Sequence, residues 1–177
     1  MKQHFKIALS YATEDQDLVE KVYHYLKAER IDTFFAPSQE SQIYLSGKNQ
    51  REVFYDIFGL NAEYVALFVS KYYVAKEVPM EEASIAFANH TETGSVIPVY
   101  LDGTPLPAHL FQPQNTNYFK QNNPAMIAKH LAAKIKSMDG TEQRMSAQKN
   151  KGNNMTIMGN SAEKAIIIQE FNGSIEL

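Results

Sequence analysis

The 177-residue chain has no cysteine and no tryptophan. Without cysteine there is no disulfide, no thiol nucleophile and no cysteine-type zinc site. The 17 lysines and arginines are scattered among 20 acids, for a net charge of −3. No basic run or face results, so nucleic acid is not an expected partner. Long apolar runs are missing too. Nothing approaches the ~20 residues of a membrane-spanning helix. The opening MKQHFKIALSYA holds too short an apolar stretch for a secretory signal. A cytoplasmic setting without a membrane partner is expected. His4, His24, His90, His109 and His130 lack ligand spacing, so no metal site is expected. GxGxxG, P-loop and Gly-x-Ser-x-Gly patterns are absent, and SGKN has too few glycines to cradle phosphates. Redox dinucleotide chemistry and serine hydrolysis lose their usual support.

What is present is core material in a regular order. Hydrophobic residues make up 44% of the chain, enough for one ordinary domain and a short appendage. FKIALSY (5–11), IDTFFA (31–36), YVALFVS (64–70) and SVIPVYL (95–101) are apolar runs that read as strands, with TNYFK (116–120) as a short edge strand. Pro98 suits a less central position in the sheet. Helical spacing follows over 13–30, over 49–62 with a break near Gly59, over 80–90 with Pro79 in the first turn, and over 124–138. PSQESQIYLSG, between the second strand and the second helix, reads as a long loop. Strands that are apolar throughout, alternating with helices, predict a mostly parallel five-stranded sheet covered on both faces, a flavodoxin-like three-layer α/β fold. Ligands of such sheets bind outside the carboxyl ends of the strands, here Ser10–Tyr11, Ala36–Pro37, Ser70 and Leu101–Asp102.

After residue 138 the composition turns polar and aperiodic, which predicts a linker over 139–154. MTIMGN and AIIIQEFNGSIEL then suggest short strands over 155–177. So few residues cannot bury a core alone. The organisation expected is a domain over 1–138, a linker, and a tail that associates with another copy or with a separate sensor protein by edge pairing, the alternative being a tail folded back on its own sheet edge.

VPMEEASIAF (78–87) raises a sharper question. Turned at about 100° per residue, Val78, Pro79, Ala83, Ile85, Ala86 and Phe87 share an apolar arc. Glu82 falls inside that arc and Glu81 outside it. A carboxylate aimed at protein is costly without a partner or a task.

Three stretches, taken together, carry a family resemblance. ALSYATED joins a strand end to a helix start, PSQESQIYLSG is a variable loop closed by glycine, and Ser70-Lys-Tyr-Tyr73 precedes Val78-Pro-Met-Glu-Glu82. In content, order and spacing these resemble the bacterial form of the TIR (Toll/interleukin receptor) domain over about residues 4–138. The sequence departs from the family at Val78, where a tryptophan is usual, and at Ala36–Pro37, where an acid is common. Tyr72 and Tyr73 are the aromatics nearby that could take the tryptophan's place.

The resemblance implies an NAD+ nucleosidase that cleaves the nicotinamide–ribose bond, with NAD+ as substrate and no cofactor. Glu82 corresponds to the family's catalytic glutamate. Tyr11 and Ala12 would lie along the nicotinamide–ribose pocket, and Leu45 and Gly47 would close it from the loop before the second helix. Ile43, Tyr44 and Leu45, apolar in an otherwise polar stretch, are expected to contact a neighbouring protomer. Self-association would switch the enzyme on, in bacterial antiphage defence. The alternative is a non-enzymatic TIR adaptor that acts by TIR–TIR contact. A receiver-like domain is disfavoured, because Ser10, Ala36 and Ser70 stand where such a domain needs acids.

Overall fold

The computed structural model of the protein describes residues 4–90, 94–111 and 119–152. Strands β1 (Phe5–Tyr11), β2 (Thr33–Phe34), β3 (Ala62–Val69) and β4 (Val96–Tyr100) form one sheet in the order β2-β1-β3-β4, all parallel. The register sets Ser10 beside Leu67 and Tyr11 beside Phe68. The predicted fifth strand is reduced, among the described residues, to a single parallel bridge between Tyr100 and Lys120. Pro98 lies in β4, an edge strand, where its missing N–H breaks no second ladder.

β3 shows why the sheet is covered on both faces. Tyr64, Ala66 and Phe68 enter one core with Val19, Val22 and Leu26 of α1 (Gln16–Ala28). Ile127, Leu131 and Ile135 of α6 (Pro124–Gly152) join that core. Val65, Leu67 and Val69 enter the opposite core with Val53, Ile57, Phe58, Ala83 and Ala86. Alternate residues of a strand leave opposite faces of a sheet, so a run apolar at every position demands two helical layers. That is the three-layer α/β architecture.

Several local elements differ from expectation. The predicted loop contains a helix, α2 (Gln39–Leu45), started by Ser38, whose Oγ accepts the Ser41 amide at 3.2 Å. The helix predicted over 49–62 does not break at Gly59. It begins as α3 (Gln50–Phe54) and continues as a π-helix over Tyr55–Asn61. Gly59 is where this turn meets the helix over Glu77–Asn89, since a Cβ there would lie 3.3 Å from Asn89 and Ile85. A short helix, α4 (Lys71–Ala75), precedes α5 (Glu77–Asn89).

Val78 was placed in the apolar arc of α5, yet it is 41% exposed. Within the same first turn of the helix it is Pro79 that is buried. The last helix does not stop at residue 138 but runs to Gly152, across most of the predicted linker. Glu, Gln, Arg, Met, Ala and Lys there are strong helix formers, so propensity sustains a helix with no apolar stripe. Two units are distinguished, Met1–Gly140 and Thr141–Leu177. The predicted tail over 155–177 lies outside the described residues.

Candidate active site

Two serines at neighbouring strand ends organise the site. Ser70 follows β3, and its Oγ accepts the Tyr73 amide at 3.1 Å, capping α4. The same hydroxyl donates to Asp15 Oδ2 at 2.6 Å. Lys71 N donates to Asp102 Oδ2 at 2.9 Å, which ties the turn to the segment after β4. This explains the Ser-x-x-Tyr pattern physically. The serine fixes the helix start, and the third helical residue, Tyr73, is driven into the core. Its hydroxyl arrives 2.7 Å from Ser10 Oγ at the end of β1.

α5 brings the carboxylate. Pro79, Glu82, Ala83 and Ala86 form its buried stripe at helical spacing. Glu82 is only 9% exposed, and Ser10 Oγ donates to its Oε2 at 2.6 Å. Burial pushes the Glu82 carboxyl up to about 8; the Ser10 hydrogen bond opposes that rise and the Glu81 charge adds to it. Glu81 points outward, with Arg51 Nε 3.9 Å away. One acid turns in and one turns out, the orientation its helical position predicts.

Glu82 opens into a cavity of about 170 Å³. Leu9, Phe34, Leu45 and Phe58 wall it, and Tyr11, Gln16 and Glu82 give it polar groups. Tyr11 stacks on Phe35 at 5.6 Å between ring centres, and Phe35 stacks on Tyr23 at 4.9 Å. Burial, reinforced by the Glu82 and Glu20 charges, raises the Tyr11 phenol, so it stays protonated and can donate. Across Tyr11 and Thr13 lies a second hollow of about 400 Å³, lined also by Lys76, Glu77, Val78 and Pro79.

The expected site residues are thus partly brought together. Glu82, Tyr11 and Leu45 share the cavity. Ala12 is fully buried and does not line it. Gly47 stands in the turn after α2 with φ of 75° and open space around its missing Cβ. Its use there is conformational, since other residues rarely adopt that backbone. Of the three expected assembly residues, Ile43 is 72% exposed. Tyr44 packs edge-on against Phe5 at 6.0 Å, under the Lys48 ammonium. Leu45 turns to the cavity. Neither nearby tyrosine fills the place of the missing tryptophan, for Tyr72 is exposed and Tyr73 is sealed behind Ser10. Sequence reasoning placed Ser10 at a strand end but missed it as the partner of Glu82. The available signal was a serine following the apolar run Ile7–Leu9 near the end of the strand.

The sequence profile of the TIR domain matches residues 7–133, and the ends of β1 and β3 and the buried stripe of α5 all fall within that span. The chain belongs to the TIR-domain family. A curated relative of this TIR protein, the 3' cyclic ADP-D-ribose synthase AaTIR of Aquimarina amphilecti, is 31% identical over 108 residues, or 60% of this chain. The chain spans about a third of that relative's length, 32%. Among solved structures, the TIR domain of a Toll-related receptor from Hydra magnipapillata aligns with a TM-score of 0.58 at 15% identity. It covers 75% of this chain and 98% of its own, and at that identity the likeness is one of fold. Among the described residues, no helix of this TIR protein is long and apolar enough to cross a membrane, and no group of three or more histidines or acids could hold a metal ion.

Proposed function

We propose that this TIR domain cleaves NAD+ between nicotinamide and ribose, with Glu82 as the carboxylate that opposes the developing ribosyl cation. The observation that carries the reading is a single acid buried in a mostly apolar cavity at the carboxyl edge of the sheet, with one oxygen held by Ser10 at 2.6 Å. The name of AaTIR supports a product of the cyclic ADP-ribose class.

One carboxylate suffices for this chemistry. Ordinary glycosidases use a second carboxyl group to protonate the leaving oxygen. Nicotinamide in NAD+ is already a cation. When the glycosidic bond breaks, its electron pair returns to the ring nitrogen and nicotinamide leaves neutral. The remaining demand is charge stabilisation at the ribose, which a fixed carboxylate in a water-poor cavity meets. Burial holds the Glu82 carboxyl up to about 8. A pyridinium within ~4–6 Å favours the ionised form, so substrate binding prepares the acid for its role. Capture of the ribosyl cation by water gives ADP-ribose and releases a proton. Capture by adenine or by a ribose hydroxyl gives a cyclic isomer.

The cavity of about 170 Å³ is below the ~300–1,000 Å³ of whole-ligand sites. It takes the nicotinamide–ribose end, with the rest of the dinucleotide outside. In this reading Tyr11 donates to ribose, Ala12 supports Tyr11 from below, Leu45 forms the wall, and Gly47 lets the chain turn over the mouth. NAD+ is the substrate and no cofactor is required.

Control is part of the same proposal. Self-association through the α2 face, with Ile43 at its centre, raises activity, and residues 155–177 receive a separate sensor in antiphage defence. Ile43→Asp is expected to lower specific activity by about tenfold at a fixed concentration while sedimentation reports a smaller assembly. Unchanged activity that does not depend on concentration counts against this face.

Chromatography of products from NAD+, with the chain free or artificially clustered, tests the whole reading. Nicotinamide should appear with wild type and not with Glu82→Gln. If clustered wild type releases none, the domain acts as a non-enzymatic TIR adaptor. Val78, aliphatic where the family usually has an aromatic, favours that second reading.

A further inference from the structure

Ser10 has one hydroxyl proton, and Glu82 takes it. Ser10 Oγ is 2.6 Å from Glu82 Oε2, and an ionised carboxylate can only accept. Tyr73 Oη is 2.7 Å from the same Oγ. With the Ser10 proton directed at Glu82, the Tyr73 O–H is the donor to Ser10. A directed row results, from Tyr73 through Ser10 to Glu82. Ser10 and Tyr73 are both buried, so neither hydroxyl is open to solvent. The row spans three elements. Ser10 comes from the end of β1, Tyr73 from α4 by way of the Ser70 cap, and Glu82 from α5.

We propose that Tyr73 and Ser10 are positioning residues, a buried donor chain that holds one oxygen of the Glu82 carboxylate and leaves the other for the substrate. The inference rests on Glu82 being the working acid of the proposed NAD+ cleavage. The chain distinguishes the two states of that acid. With Glu82 ionised, each hydroxyl donates to the next group. With Glu82 protonated on its other oxygen, Oε2 still accepts from Ser10, but as a neutral acceptor. A hydrogen bond to an ionised acceptor is roughly twice as strong as one between neutral groups. The chain therefore favours the carboxylate and works against the burial that raises it.

The other ionisable groups acting on Glu82 are Tyr11 of β1 and Glu81 of α5, with Arg51 of α3 held on Glu81. From α2, α3 and the π-helix the cavity receives the apolar side chains Leu45, Val53, Phe54 and Phe58. None of these can take over the donor role of Tyr73.

The test is a thermodynamic cycle on the full chain, using Tyr73→Phe, Ser10→Ala and the double variant. Carboxyl ¹³C titration, with Glu82 assigned by its loss in Glu82→Gln, reads the acid without turnover. The pH profile of kcat/KM for NAD+ reads it through catalysis. Tyr73→Phe removes one oxygen and keeps the buried ring, so the fold survives, and a melting curve verifies that. It should raise the Glu82 midpoint by about half a unit to one unit and lower kcat/KM at neutral pH by about three- to tenfold. Activity should recover at higher pH, and kcat should change more than KM. Ser10→Ala should shift the midpoint further, and the double variant should match Ser10→Ala, because Tyr73 acts only through Ser10. An unmoved midpoint in Tyr73→Phe, or shifts that add in the double variant, overturns the proposal. If the titration shifts as expected but wild type leaves NAD+ intact, the donor chain stands and the cleavage reading fails.

Discussion

Two serine–carboxylate pairs sit side by side at the same edge of the sheet. Ser10 donates to Glu82 at 2.6 Å, and Ser70 donates to Asp15 at 2.6 Å. In both pairs burial raises the acid and the serine opposes the rise. The surroundings differ. Asp15 is only partly buried, with the Lys76 ammonium lowering it and the Asp102 and Glu14 charges raising it. Glu82 lies among Leu9, Phe34, Leu45 and Phe58 and rises to about 8. An equal hydrogen bond thus stands in a half-open setting in one place and behind an apolar wall in the other. What separates them is the apolar wall and the cavity in front of Glu82. A buried carboxylate facing empty space is a functional candidate; one facing a helix cap is a brace.

The sharpest way to break this contrast is to neutralise each acid in turn. Glu82→Gln keeps the shape and the acceptor for Ser10 but removes the charge, and NAD+ cleavage should fall by about 100-fold or more. Asp15→Asn and Glu81→Gln should retain most activity. A comparable loss in Asp15→Asn removes the distinction between the pairs.

The second way reads stability and needs no substrate. The folded carboxyl of Glu82 titrates near 8, whereas the ordinary glutamate value is 4.5. Below 4.5 both folded and unfolded states hold the proton, and the group makes no difference. Between 4.5 and 8 the unfolded chain releases a proton that the folded chain keeps. Stability from this group is therefore lost as pH rises and levels off above about 8. Glu82→Gln lacks this slope. Its advantage over wild type should grow across that window to the order of a few kcal/mol, measured as denaturation midpoints at several pH values. Asp15→Asn should show a shallower slope of the same sign. Parallel curves for Glu82→Gln and wild type mean that Glu82 is ionised throughout.

Much of this arrangement is legible in the sequence, within definable limits. Apolar runs such as YVALFVS announce a doubly covered parallel sheet because every position must be buried. The rotation of a helix turns Glu82 inward and Glu81 outward without further information. Spacing gives a face but not a partner, so Tyr73 and Ser10, 63 residues apart, could not be joined in advance. Val78 falls in the apolar arc, yet in the first turn of α5 Pro79 takes the buried place and Val78 stays exposed. α2 escaped notice because its seven residues carry no apolar period and bury only Ser41. The π-helix over Tyr55–Asn61 keeps the composition of an α-helix and changes only the backbone bonding. The helix over 139–152 follows from propensity where pattern is absent.

The smallest expected effect concerns Ser70, and it tests whether that pair is more than a brace. Its Oγ accepts the Tyr73 amide and donates to Asp15. Ser70→Ala removes both bonds. Loss of a cap costs about 1 kcal/mol, and a partly buried carboxylate without its donor adds a similar amount. A drop of about 1–3 kcal/mol in unfolding free energy is expected. The consequence for Glu82 is indirect. A loosened α4 start lets Tyr73 drift from its 2.7 Å contact with Ser10, and activity should fall severalfold with a profile displaced toward higher pH. Asp15→Asn separates the two bonds, because asparagine still accepts from Ser70 and leaves the cap in place. Ser70→Ala should therefore lose more stability and more activity than Asp15→Asn. If the two variants lose the same amounts, Ser70 serves Asp15 alone, and the cap does not carry Tyr73 to its place.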